Sequence, residues 1–250
     1  MTRKCRYRRS NLCPRPIKPL SREGVGRKVL IQRAAFDLEH EAFRASGVTT
    51  KDQINECKNK LTSLHQQFIR DTQPLPGFPA KELFDWLWEK KPVRYKPHGN
   101  YRLNDVLDAQ LGQGHLAVGN CLGLTLLYNC LLHRMNIRAE AIYLEHAFER
   151  GPHVLTSLQR GKAWIDVENI FRDGYDYGGH RNTLSRSRWG DKELVADIYH
   201  SLGNDCFEKG KMMEALKNYN LALDLNPRYE RARLNKAIAL EITKTDTWKG

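Results

Sequence analysis

The sequence predicts an α+β fold in which helices precede an antiparallel sheet and a short helical repeat follows. Up to residue 135, apolar residues recur at spacings of three and four, as in amphipathic and buried helices. From 137 to 167 apolar and polar residues alternate, which is typical of half-buried strands joined by tight turns. After residue 196, small and aromatic residues recur with the period of a two-helix repeat. Helices followed by a strand meander give an α+β order.

Most of the net charge of +12 lies at the N-terminus. Residues 1–28 contain ten Lys or Arg residues and one acidic residue, Glu23. Their few apolar residues cannot offset the entropy cost of ordering, so we predict a basic disordered tail. The tail could be a nuclear-localisation or nucleic-acid-binding segment, or a transit peptide. It could also be an extension that only increases solubility or that results from an upstream start codon. We favour the extension because short basic runs are common, and we do not expect nucleic acid as the main partner.

Other features of composition indicate the compartment. No apolar run approaches the roughly 20 residues of a membrane span, and the N-terminus lacks the apolar stretch of a secretory signal. The six cysteines lie far apart, without the pairing of a zinc site or the density of a disulfide scaffold. His133, His146 and His180 have no recognised ligand spacing. We therefore expect a cytoplasmic protein with free thiols, no metal, no cofactor and no membrane partner.

Local signals set the limits of the helices. Gly47 is expected to end the first helix, and a capping box formed by Thr50 and Gln53 is expected to begin the second. The stretch from 121 to 135 is apolar nearly all round, which predicts a helix buried inside a domain. Helices are predicted over residues 29–46, 50–68, 83–88, 105–111 and 121–135.

The polar residues of the buried helix fall on one line. They are spaced four residues apart: Cys121, Thr125, Asn129 and His133. Cys130 projects to about the opposite side and is expected to pack in the core, as is Cys57. Asn120 is expected to be the N-cap, which places the Cys121 thiol in the first helical turn. Unpaired N–H groups and the helix dipole favour a thiolate there, so Cys121 is the candidate nucleophile.

A predicted hairpin supplies candidate partners for the thiol. If Arg160-Gly161 forms its two-residue turn, Leu155 pairs with Asp166, and His153 becomes the diagonal neighbour of Asp166 on the same face. His153 would then be the base and Asp166 the carboxylate that orients it. A register slip of one residue would place the two on opposite faces.

Other residues could take some of these roles. His115 and His146 are weaker alternative bases. Oxyanion donors could come from the Cys121 backbone N–H and from the side chains of Gln110, Gln113 or Asn120, among which the sequence does not choose.

The C-terminal part of the chain reads as a linker followed by a helical repeat. Residues 171–190 are predicted to be an irregular loop. It could be a flap over a site or a linker, and we favour a linker. Over residues 194–250 we predict one tetratricopeptide (TPR) repeat and a partial second copy, which should lean on the preceding domain. The concave face of such repeats usually docks proteins, so we expect a protein or peptide partner. The repeat spacing is carried by Tyr199, Leu202, Gly203, Ala215, Tyr219, Ala222 and Pro227.

A family resemblance is carried by three segments: Gly119-Asn120-Cys121 in the buried helix, Gly151-Pro152-His153-Val154-Leu155 on a strand, and Trp164-Ile165-Asp166 on the next. They resemble the transglutaminase-like superfamily, and more narrowly its SirB1 type. In that type a helical N-terminal region precedes a papain-like core, and TPR repeats may follow. The resemblance covers roughly residues 29–242 and implies a core domain over 29–190.

The resemblance also implies an activity. Cys121 would be the nucleophile, His153 its base and Asp166 the orienting residue, in a hydrolase or acyltransferase acting on amide or related acyl bonds through a thioester. Asn120 and Leu122 stand where transglutaminases proper usually have Gln and Trp, which argues against protein crosslinking. The alternative function is a catalytically silent interaction module, in which the repeat binds a partner and the triad is a relic.

Overall fold

The computed structural model describes residues 36–114, 116–149 and 151–247. The predicted basic tail of residues 1–28 lies outside them. The described residues belong to one compact unit that begins at Phe36, and they have the α+β composition that the sequence predicts. The helices are α1 (Leu38–Ala45), α2 (Lys51–Thr72), α3 (Ala80–Lys90), α4 (Leu103–Leu111), α5 (Cys121–Arg134), α6 (Asp191–Glu208), α7 (Met212–Leu225) and α8 (Glu230–Thr247). The strands are β1 (Ala139–Leu144), β2 (His153–Arg160), β3 (Ala163–Val167) and β4 (Ser187–Trp189).

Two predicted helix limits are confirmed by local geometry. Helix α1 ends shortly before Gly47, which has a φ of +95°, a conformation that glycine adopts at little cost. The capping box of α2 is present, with the Thr50 hydroxyl accepting from the Gln53 N–H at 3.2 Å and the Gln53 side chain accepting from the Thr50 N–H at 3.3 Å. The part of the first predicted helix before residue 36 lies outside the described residues.

The strands form an antiparallel sheet in the order β3-β2-β1-β4. The β2–β3 hairpin turns at Gly161-Lys162, so Arg160 pairs with Ala163, and Ser157 pairs with Asp166. The predicted pairing of Leu155 with Asp166 is therefore wrong by two residues. The physical reason is Gly161, whose φ of +62° suits the first central position of a two-residue hairpin turn. Because the shift is even, the side chains keep the faces that the sequence predicts.

Strand β4 lies inside the segment 171–190, for which the sequence predicts an irregular loop. It pairs with β1 over three residues, too few to show an alternating pattern. The ring of Trp189 stacks on Tyr143, with centroids 4.1 Å apart and planes 3° from parallel. The pairing brings the end of the loop back to the sheet, directly before α6.

Helices α6 to α8 form the predicted repeat region. Ala215, Tyr219 and Ala222 of α7 are buried, as the repeat spacing requires. Several α6 residues belong to the main hydrophobic core, so the repeat leans on the preceding elements as predicted: Leu194, Val195 and Ile198. The division into domains at residues 29–190 and 194–250 stays a prediction. None of the helices in the described part of the chain is both long and apolar enough to cross a membrane.

Gly203 of α6 allows α7 to approach closely. A methyl group at this position would lie 2.4 Å from a ring carbon of Tyr219, whose ring is buried and whose hydroxyl donates to Asn204 at 3.0 Å. We expect Gly203→Ala to lower the free energy of unfolding, because overpacking costs about 1–3 kcal/mol and outweighs a gain in helix propensity of about 0.5–1 kcal/mol. Urea denaturation of the full chain measures the change.

The matched control for this prediction is Gly178→Ala. A methyl group there meets open space, so stability should stay within about 0.5 kcal/mol of the parent. Equal stability of the two variants would contradict the close approach of α6 and α7.

Candidate functional site

The polar line of α5 faces the sheet and is hydrogen-bonded to it. The side-chain oxygen Oδ1 of Asn129 accepts from the Thr156 hydroxyl at 2.7 Å. The Asn169 amide donates to the hydroxyls of Thr156 and Thr125, at 3.0 and 3.2 Å. All four side chains are buried. This network fixes the rotation of α5 against β2, and it therefore sets where Cys121, the first residue of the helix, is presented.

The start of α5 is held from outside the helix as well. Asn120 is its N-cap, as predicted, and its side-chain oxygen accepts from the Gly123 N–H at 3.0 Å. The Asn120 N–H donates to the carbonyl of Asn100 at 3.0 Å. Gly119 has no room for a side chain, because a methyl group would lie 2.6 Å from that same carbonyl oxygen. Cys121 is partly exposed and lines a cavity of about 710 Å³.

His153 begins β2 and lies beside Cys121. Its Nε2 atom is 2.8 Å from a carboxylate oxygen of Glu168, which leaves Nδ1 for the thiol. Burial alone would lower the pKa of His153. Hydrogen bonds to the side chains of Cys121 and Glu168, together with the negative charge of Glu168, outweigh that effect and raise the pKa to about 10. The imidazole is therefore protonated at neutral pH.

The carboxylate on His153 belongs to Glu168, whereas the sequence analysis assigned this position to Asp166. Asp166 lies opposite Ser157, accepts from its hydroxyl at 3.0 Å, and pairs with Arg186 at 2.9 Å. The cause is the turn at Gly161, which moves Glu168 into the diagonal position relative to His153. Placing the glycine first in the turn would have identified Glu168 from the sequence.

Glu168 is completely buried and is positioned by its own backbone. Its N–H donates to the carbonyl of Gly174 at 2.8 Å, and one side-chain oxygen accepts from the Ile170 N–H at 3.4 Å. Gly174 is required at this point, because a methyl group would overlap the Glu168 carbonyl oxygen. The loop after β3 thus holds the carboxylate under the His153 ring.

His180 joins this cluster from the following loop. Its Nε2 atom lies 3.6 Å from the Glu168 carboxylate and has no hydrogen-bond partner among the described residues. Burial lowers the pKa of His180. One ligand atom each from His153, Glu168 and His180 lies within 4.8 Å of the others, so these three residues could hold a metal ion. No motif in the sequence marks this group, because its members come from separate loops and strands.

The other candidate residues are distributed as follows. Asn120 lines the cavity beside Cys121, whereas Gln113 is exposed and lines a different cavity together with Gln110. Gln113 is thus not brought to the thiol, because the chain between α4 and α5 carries it away. His146 is exposed and lies outside the hydrogen-bonded cluster, and His115 lies outside the described residues.

The remaining thiols of the core are packing residues, as predicted. Cys130 is completely buried, and burial raises its pKa well above the usual range. Cys57 packs against the core, and partial burial also raises its pKa. Both should react slowly with electrophiles in the folded protein.

Residues from two parts of the chain line the cavity beside Cys121. Phe148 and Phe171 come from the loops around the candidate site. Asn204 of α6, Tyr229 just before α8 and Arg231 of α8 come from the repeat region. The cavity therefore lies between the candidate site and the repeat.

Comparison with known proteins identifies part of the chain. Residues 203–241 match the model of the TPR repeat, which confirms the predicted repeat. An uncharacterized protein of Methanocaldococcus jannaschii is 43% identical over 47 residues, which cover 19% of this chain and 55% of that protein. The chain thus spans about half the length of this curated relative. No solved structure matches significantly, and none of the comparisons detects a transglutaminase-like segment.

The two carboxylates can be separated by a matched pair of variants. We expect Glu168→Gln to lower the rate of Cys121 alkylation by iodoacetamide at least about tenfold, or about 1.4 kcal/mol, because His153 loses its charged partner. Asp166→Asn removes a carboxylate that contacts Ser157 and Arg186 and should leave the rate within about twofold. Peptide mapping by mass spectrometry gives both rates. The opposite ranking would restore Asp166 as the orienting residue.

Proposed function

We propose that the protein is a thiol-dependent hydrolase or acyltransferase that acts on amide or related acyl bonds. The observation that carries the proposal is the contact of the buried Glu168 carboxylate with His153, which lines the same cavity as Cys121. A nucleophile, a base and a residue that orients the base are the three parts that such chemistry needs.

The first half of the reaction forms an acyl-enzyme. Before the substrate reacts, the proton of the Cys121 thiol already lies on Nδ1 of His153, and the imidazolium is held by Glu168. The thiolate attacks the carbonyl carbon, and the negative charge that develops on its oxygen is stabilised by the Cys121 N–H, which has no acceptor within the helix. The Asn120 side-chain oxygen is used in the cap, so its amide N–H groups are free to donate to the same oxygen. His153 then protonates the leaving amine, and a thioester remains.

The second half releases the product. Water or an acceptor amine gives a proton to His153 as it attacks the thioester carbon, the carbon–sulfur bond breaks, and the thiol is regenerated. Leu122, where a transglutaminase proper has Trp, and Asn120, where it has Gln, favour water or a small acceptor over protein crosslinking. A free thiol nucleophile needs a reducing compartment, so the proposal places the protein in the cytoplasm.

The same geometry supports a transglutaminase-like, papain-like core over residues 29–190. In this proposal the nucleophile starts a buried helix, and the base and the carboxylate lie on and just after adjacent antiparallel strands. Glu168 supplies the carboxylate that the sequence resemblance assigned to Asp166. Residues 194–250 then form the attached repeat domain, which contributes one side of the cavity.

A second candidate function is that of a catalytically silent protein-interaction module, and the comparisons favour it over the enzyme. TPR repeats commonly mediate protein–protein contacts. Helix α8 also exposes Leu234 and Ile238, one helical turn apart, with 61% and 43% of their surfaces accessible. A partner that supplies an apolar face would bury both side chains.

Alkylation of the cysteines tests the enzyme proposal. We expect iodoacetamide to modify Cys121 of the folded protein faster than Cys57 and Cys130, which lie in the core. His153→Ala should slow that modification by at least about a hundredfold, the usual contribution of a positioned base. The rates are read by mass spectrometry, with circular dichroism as the control for folding. Equal labelling of the three cysteines would rule out a reactive thiol.

Acyl transfer is tested with p-nitrophenyl acetate. We expect release of one equivalent of nitrophenol in a burst and an acetyl group on Cys121 that hydroxylamine removes. Cys121→Ser should show neither. A burst that persists in Cys121→Ser would assign the reaction to another residue.

The interaction module makes a different prediction. Leu234→Glu combined with Ile238→Glu should reduce at least about tenfold the recovery of protein partners by affinity purification, because a charge cannot be buried unpaired. Leu184→Glu is the matched control, at an exposed leucine outside the repeat. Unchanged recovery with the double variant would contradict a docking role for this face of α8.

A further inference from the structure

We propose that His153, Glu168 and His180 form a binding site for Zn²⁺ or a similar transition-metal dication, and that the bound metal switches the thiol site off. The binding part stands on the geometry of the three side chains. The inhibitory part rests on the proposed function, since it needs His153 to serve as the base that activates water against the thioester on Cys121.

The donor set and its spacing suit zinc. Two imidazole nitrogens and a carboxylate oxygen form a known three-ligand set for zinc, with a fourth position left for water. With bonds of about 2.0–2.1 Å, the ligand atoms of a tetrahedral site are separated by about 3.4 Å. Glu168 lies 2.8 Å from Nε2 of His153 and 3.6 Å from Nε2 of His180, and all three ligand atoms lie within 4.8 Å of one another. Small side-chain movements would bring them to bonding distance.

The unpartnered nitrogen of His180 is the second observation. The His180 side chain is only 8% exposed, and its Nε2 atom is buried next to a carboxylate without a hydrogen bond. A buried polar atom without a partner costs about 1–3 kcal/mol, and a metal ion would supply the missing partner. The ring is held in place by the edges of Phe148 and Tyr177, with centroids 4.6 and 5.2 Å away.

The composition of the site selects among metals. Imidazole ligands suit zinc, copper, nickel and iron, whereas calcium and magnesium prefer all-oxygen sites. The single carboxylate leaves a net charge of +1 when a dication binds two neutral imidazoles. The Glu168 carboxylate is completely buried, so the ion would be shielded from water on that side.

Metal binding and base catalysis exclude each other at His153. The metal takes the lone pair of Nε2, and the proton now held there leaves to solvent. The one proton of the neutral imidazole must then sit on Nδ1, so this nitrogen has no lone pair to accept a proton from the water that hydrolyses the thioester. Glu168 also exchanges its hydrogen bond with His153 for a bond to the metal. The acyl-enzyme therefore loses the base that its hydrolysis requires.

The experiment uses the full chain, freed of metal with EDTA, and titrates it with Zn²⁺ by isothermal titration calorimetry. We expect one site, with the same dissociation constant in the parent protein and in Cys121→Ser. His180→Phe keeps the ring contacts but removes the ligand, and it should weaken binding at least about tenfold. His146→Phe, at an exposed histidine, is the matched control and should bind like the parent.

Two readouts keep the test independent of how the variants fold. Zinc-edge X-ray absorption of the parent protein should show nitrogen and oxygen neighbours near 2.0–2.2 Å, whereas a sulfur neighbour near 2.3 Å would place the metal on a cysteine and overturn the proposal. The ratio of the hydrolysis rates of acetyl-Cys121, formed from p-nitrophenyl acetate, in EDTA and in saturating Zn²⁺ should exceed about ten in the parent and approach one in His180→Phe. Unchanged zinc affinity in His180→Phe, or its loss in Cys121→Ser, would also overturn the site.

The failures of the two proposals are distinguishable. If acetyl-Cys121 is hydrolysed in a His153-dependent manner and zinc does not change the rate, the metal proposal fails alone. If zinc binds through His180 while Cys121 reacts no faster than Cys57 in EDTA, the metal site stands and the thiol enzyme fails.

Discussion

The buried hydrogen bonds between α5 and the sheet are the constraint on which the rest of the structure depends. Helix α5 is apolar nearly all round, so hydrophobic burial would accept many rotations about its axis. The buried hydrogen bonds allow only one rotation of the helix, because each buried polar group needs its partner. They join Asn129, Thr125, Thr156 and Asn169. Cys121 lies on the same line of the helix. The network therefore positions the thiol near His153, the first residue of β2.

A second constraint fixes the register of the hairpin. Gly161 occupies the left-handed position of a two-residue turn, and this choice decides which carboxylate reaches His153. Asp166 and Glu168 share a face, are two residues apart and differ by one methylene group. Asp166 is drawn into contacts with Ser157 and Arg186, while Glu168 lies in the buried position. The chemistry of the site thus follows from the conformation of one glycine at the far end of two strands.

These two constraints also show what could be predicted from the sequence. Periodicity and capping signals predicted the helices, the α+β order and the N-cap of α5, because those depend on neighbouring residues. The line of polar residues that includes Cys121 was visible for the same reason. Glu168, Asn169 and His180 were missed, because their roles depend on a turn register and on loops that bring distant residues together. The involvement of α6 and α8 in the cavity is likewise a long-range effect that no local pattern records.

The repeat region and the candidate site line the same cavity. If Cys121, His153 and Glu168 act as one hydrogen-bonded unit, nitrogen-15 NMR of the His153 ring should detect it. In metal-free protein, we expect both ring nitrogens to be protonated at pH 7 and to stay so until the pH approaches about 10, the raised pKa of His153. A ring that is neutral at pH 7, with a titration near the ordinary histidine value of about 6.5, would contradict it.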